Sequence, residues 1–140
     1  MIEINNFTKE KINKKFFKKV IEFVLKKEGK DKKGLSLAFV GALRIKKLNK
    51  KYLKRNYPTD VLSFPEQEWG LGEIVICPFK VKKNAKKFNS SFKKELARVL
   101  IHGILHLLGY DHERSKKEAE KMRKKEEYYL SQIIKFKDKI

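Results

Sequence analysis

The chain is short of cysteine, proline, histidine and acidic residues, and each shortage excludes a class of protein. A single cysteine, Cys77, in 140 residues rules out an intramolecular disulfide framework and a cysteine-rich zinc site. Inside the apolar run 74–77 it reads as a small buried residue and not as a reactive thiol. No stretch reaches 18 apolar residues, so no membrane-spanning helix is expected. Met1-Ile2-Glu3-Ile4 lacks the basic-then-apolar layout of a secretion signal, which points to a cytoplasmic protein. Three prolines and seven glycines leave no Pro/Gly/Ser linker, and no internal repeat is visible. One domain over 1–140, with a core of its own, is expected. Acidic residues number 17 against 36 basic ones, a net charge of +19. An imbalance of that size fits a polyanionic partner, most commonly nucleic acid. Lysine richness also accompanies genome bias and life at high temperature. An anionic membrane suits the chain less, because the basic helices carry no cluster of large exposed apolar residues.

Hydropathy patterning predicts a strand over Ile2–Phe7, then a helix capped by Thr8 and ending near Glu28 before Gly29. Leu35, Leu37 and Phe39 alternate with small residues and read as a strand closed by Gly41. A helix follows over Ala42–Lys54, with Leu43, Leu48 and Tyr52 expected to face inward. Val61–Phe64 and Glu73–Cys77 read as further strands, and Pro78–Phe88 is ambiguous, with room for a short helix. Ser91–Leu108 is helical and unusually apolar, as a central buried helix would be. Ser115 and Glu118 form a capping box that opens a last amphipathic helix to about Phe136. The elements intermix without regular alternation. They predict an α+β fold: a small mixed sheet of about four strands packed with about five helices.

All three histidines of the chain lie in one block, His102, His106 and His112. The first two are one helical turn apart and project from the same face. Gly109 lets the chain leave the helix and turn back, so that His112 approaches the same point. Three imidazoles meeting at one point suit one Zn²⁺ per chain, with the fourth position left for water. Such an ion lowers the pKa of its water to about 7 and creates a nucleophile at neutral pH. A purely structural zinc would close all four positions, and no fourth ligand candidate is evident. The spacing matches a pattern of metalloproteases, except that Gly103 stands where those enzymes carry the glutamate that serves as general base. The metal site reads as hydrolase-like, in a protein that is no ordinary peptidase.

His102-Gly103-x-x-His106-Leu107-x-Gly109-Tyr110-Asp111-His112, taken with Pro58-Thr59-Asp60-Val61-Leu62-Ser63-Phe64-Pro65, closely resembles the YbeY family. These are bacterial single-strand-specific endoribonucleases of ribosomal RNA maturation. Leu48-Asn49 with Tyr52, and Leu71-Gly72-Glu73-Ile74, extend the resemblance, which runs from about Leu35 to Glu113. It implies a zinc-dependent RNA hydrolase acting at the 3′ end of small-subunit ribosomal RNA, with a role in ribosome quality control. It also implies an α+β fold with the metal in a cleft, held by His102, His106 and His112. Two positions depart from the family pattern. Glu73 replaces an aspartate and keeps its charge. Leu53 stands where family members carry an arginine thought important for activity, and either Lys54 or Arg55 is in a position to supply that charge.

Other residues carry two readings each. Arg98, one turn before His102, either meets a phosphate or sits plainly in solvent. Asp111 either orients an imidazole or shapes the turn. Phe64 and Trp69 either stack unpaired bases or pack as core and loop anchor. Lys46, Lys47, Lys50, Lys51 and Lys54 are candidates for sequence-blind attraction to an RNA backbone. A metal-stabilised, non-catalytic ribosome-assembly factor and a metallopeptidase with a base from elsewhere remain as rival functions.

Overall fold

A computed structural model describes residues 1–66, 68 and 70–136. In chain order the elements are β1 (Ile2–Asn6), α1 (Lys14–Lys27), β2 (Leu35–Phe39), α2 (Ala42–Leu53), β3 (Val61–Pro65), β4 (Gly72–Ile76), α3 (Pro78–Lys87), α4 (Phe92–Leu107) and α5 (Lys116–Ile133). The strands form one mixed sheet in the order β1-β2-β4-β3. β1, β2 and β4 run parallel and β3 returns antiparallel along β4.

Strand side chains alternate between two faces. Leu35, Leu37 and Phe39 of β2, with Ile74 and Ile76 of β4, join Phe17, Ile21, Leu100 and Ile104 in the main core beneath α1 and α4. On the other face Val75 and Leu62 meet Ile45 of α2 in a smaller cluster. α4 lies between the sheet and α5 and is buried around most of its circumference, from Glu95 to Leu105. The expected α+β fold, its mixed sheet and its central helix are all present. Pro78–Phe88, left ambiguous by its pattern, is the helix α3, with Pro78 in the first turn where its missing N–H costs nothing. Among the described residues no helix is long and apolar enough to cross a membrane.

Two local expectations need correction. α1 begins at Lys14, capped by the Asn13 side chain, which accepts from the Phe16 amide. Thr8 instead closes a turn: its amide and hydroxyl donate to Asn6 Oδ1, and its hydroxyl accepts from the Glu10 amide. Such side-chain bonds compete with helix initiation. In α2 the buried residues are Ile45 and Asn49. Leu48 is half-buried, while Leu43 and Tyr52 are 68% and 54% exposed. The helical period was legible and its phase was not, because Asn49 turns inward. Its amide donates to the Tyr57 carbonyl at 2.9 Å and ties down the segment after the helix.

Candidate functional site

α4 enters the site from its N-cap, Ser91, whose hydroxyl accepts from the Lys94 amide at 3.1 Å. Glu95, Arg98, His102 and His106 follow at helical spacing along one side. After Leu108 the chain takes the left-handed conformation at Gly109, φ +102°, which a side chain would oppose. Tyr110 N–H then returns to Leu105 O at 3.1 Å. The Tyr110 hydroxyl donates to Glu28 at 2.7 Å, and Glu28 also accepts from the Tyr129 hydroxyl and from Lys125 Nζ at 3.0 Å. Burial pushes the Glu28 carboxyl up, but its three donors outweigh that and hold it below its ordinary value of 4.5. This clasp pins the loop, and His112 comes back over α4.

The three imidazole centroids form a triangle with sides of 5.3 Å (His102–His112), 6.2 Å (His106–His112) and 6.3 Å (His102–His106). Rings ligating one tetrahedral ion at about 2.1 Å put their centroids about 5.2 Å apart. One side already has that length and the other two are about 1 Å longer. As they stand, no three His, Cys, Asp or Glu side chains among the described residues are placed so as to hold a metal ion. Three imidazoles are the donor chemistry that zinc accepts, and two of the three ring separations are wider than a bound ion would set.

His102 is already oriented for that role. Its Nδ1 lies 2.9 Å from Glu126 Oε1. A carboxylate only accepts, so Nδ1 carries the proton, and in the neutral ring that contact leaves the Nε2 lone pair for the cleft. Glu126 belongs to α5, on the stripe that buries Met122, Tyr129 and Ile133. A lone acid on an apolar stripe was the available signal, but sequence reasoning missed it. Asp111 takes the other of its two readings: its carboxylate accepts from the Glu113 amide at 2.9 Å and shapes the turn.

The histidines sit in a cleft of about 530 Å³ walled by α4, β3 and the segment after α2. The Pro58–Pro65 block supplies Thr59, Asp60 and Ser63 to the wall facing α4. Arg98 lines it too. It is bound in fork geometry to the buried Glu95 (2.9 and 2.5 Å) and lies 3.8 Å from Glu126. It is neither a loose surface arginine nor a free cation, since two carboxylates offset its charge. At the opposite rim α2 ends in a left-handed residue, Lys54 (φ +60°). Leu53 and Arg55 line the cleft and Lys54 does not. Of the two candidates for the absent arginine's charge, Arg55 is therefore the one facing the histidines. No ion pair holds its guanidinium among the described residues.

Gly103 has a reason beyond the missing base. A Cβ there would stand 3.1 Å from Ile74 Cγ2 and 3.3 Å from Ser63 Oγ, so the position faces the sheet and glycine permits close packing of α4. Phe64 packs in the smaller core cluster, with its ring 5.1 Å from that of Tyr52. It therefore offers no stacking platform in the cleft. Trp69 lies outside the described residues.

A family model described as Endoribonuclease YbeY matches residues 2–134. Curated relatives bearing that description include proteins of Thermodesulfovibrio yellowstonii and Thermotoga neapolitana. The first is 47% identical over 134 residues, covering 83% of each chain. The second is 43% identical over 124 residues, covering 89% of this chain and 82% of the relative. A solution structure of a Thermotoga maritima protein superposes with a TM-score of 0.70 at 40% identity, covering 95% of this chain and 89% of the other. The chain belongs to the YbeY family of endoribonucleases, which are RNA-cleaving hydrolases.

Proposed function

We propose that this endoribonuclease is zinc-dependent and specific for single strands, and that it matures the 3′ end of small-subunit ribosomal RNA in the cytoplasm and serves ribosome quality control. The observation that carries the reading is the meeting of the chain's only three histidines in a cleft with a free arginine at its rim. His102, His106 and His112 would hold one Zn²⁺. A zinc ion supplies Lewis-acid stabilisation of the charge that a phosphodiester gains as it is cleaved. Glu126 holds His102 in the ligating tautomer. Arg55 is free to meet a phosphate oxygen, a contact that strengthens as charge builds up in the transition state. Arg98, locked by Glu95 and with its charge offset there, shapes the wall and leaves the phosphate contact to Arg55. Lys47, Lys50, Lys51 and Lys54 are exposed on and just after α2, whose sequence contains no acid. They attract the RNA backbone without reading its sequence. Peptide hydrolysis by a glutamate next to the first ligand is disfavoured, since position 103 faces the sheet.

Leu53 in the cleft supports a second reading, a metal-stabilised assembly factor that binds RNA without cutting it. Protein purified without a histidine tag distinguishes the two. The catalytic reading expects about one zinc per chain, and cleavage of single-stranded ribosomal RNA that stops with chelator and in His106→Ala. His106 is exposed, so that variant should fold. Zinc retention without cleavage supports the assembly factor, and absence of zinc from active protein refutes the metal assignment.

A further inference from the structure

Beyond the cleft, two more hollows continue the surface in one direction. Arg98 lines both the cleft and the next hollow, which also holds Phe88, Ser90 and Lys94. Ser90 in turn lines both that hollow and the one beyond it, with Phe79, Lys83 and Lys86. From His102 back to Phe92, eleven residues of α4 span about 15 Å of this path. Along it stand two phenylalanines that the core does not use, Phe79 at 53% and Phe88 at 63% exposure. Each has a lysine near one ring face, Lys83 at 5.0 Å and Lys87 at 5.7 Å from the centroids. More than half of each of these residues remains exposed. Residues 78–94 contain seven lysines and no acid. Only Lys82 among them is paired in an ion pair given by the structure, to Glu10. Glu95, the next acid along the chain, is buried and occupied by Arg98.

Exposed aromatic faces set among lysines suit a flexible polyanion with flat, stackable units. That describes unpaired RNA, in which every base has a π-face and every linkage a charge. We infer that the path from Arg98 over Phe88 to Phe79 is a binding track for the single-stranded RNA flanking the bond cut in the cleft. Bases stack on the two rings, and Lys83, Lys86 and Lys94 follow the backbone. The inference rests on the endoribonuclease reading for which bond is cut, but RNA held on the track does not require cleavage. It also gives a physical basis for preferring single strands, because paired bases cannot turn onto the rings without unstacking.

The test is equilibrium binding of a single-stranded RNA of about 16 nucleotides to His106→Ala protein, so that no cleavage occurs and failure of the zinc proposal leaves the result intact. Adding Phe79→Ala or Phe88→Ala should weaken binding about ten-fold each, with circular dichroism unchanged because both rings are exposed. Replacing Lys83 and Lys86 by alanine should reduce the salt dependence, log K against log salt, by about 1.4. Phe7→Ala, an exposed ring outside the track with Arg44 over it, is the control and should bind normally. A duplex of the same sequence should be insensitive to the phenylalanine changes. Unaltered single-strand binding by both track variants would assign these rings to another partner and overturn the inference, as would an equal loss in Phe7→Ala.

Discussion

Removing the Glu28 carboxylate tests the clasp behind the histidine loop. Glu28 ends α1 and accepts from Tyr110 in the loop and from Tyr129 and Lys125 on α5. In Glu28→Ala the Tyr129 hydroxyl, on a residue only 2% exposed, loses its acceptor, at a cost of about 1–3 kcal/mol. Tyr110 is half-buried and regains some water, so its loss adds about 1 kcal/mol. Lys125 reaches solvent and contributes less than about 1 kcal/mol. The expected total is about 2–4 kcal/mol, read as a lowered urea midpoint at constant slope. Glu28→Gln keeps an acceptor oxygen and should cost about half as much. The acid limb gives an independent check. Because the folded-state pKa is lowered, the carboxylate's contribution is complete above the unfolded value and drains away as pH falls through the folded one. The stability difference between wild type and Glu28→Gln should therefore be full at neutral pH and shrink below about pH 4.5. An alanine variant within 0.5 kcal/mol of wild type, a threshold of about the scatter of such measurements, would refute the argument that this cluster anchors the loop.

Glu126→Gln leaves the shape of α5 intact but removes the carboxylate that orients His102. Zinc affinity, measured by competition with a chromophoric chelator, should fall about 10- to 100-fold with little change in unfolding midpoint; unchanged affinity would reduce the contact to packing. Leu53→Arg adds a cation at a 48% exposed position lining the cleft. It should strengthen single-stranded RNA binding and steepen its salt dependence by about 0.7, whereas Arg55→Ala should do the opposite. Equal salt slopes in all three proteins would remove both positions from the phosphate path.

Local chemistry was legible in the residues themselves. The spacing of His102 and His106, the glycine that turns the chain, the Ser115 cap and the apolar length of α4 each act within a few residues, where bond geometry leaves few choices. They determined the central helix, the grouping of the three histidines and the α+β class. Tertiary packing decided what depends on chain segments far apart. The strand order and the phase of α2 follow from which faces dock. Glu126 meets His102 across 24 residues and Glu28 meets Tyr110 across 82, distances at which no periodicity operates. Which of Lys54 and Arg55 faces the histidines depends on a left-handed backbone at Lys54, a conformation that lysine does not prefer and that the fold imposes. The histidine trio was written in the order of the residues; the groups that hold it in place are neighbours only because a hydrophobic core brings distant helices together.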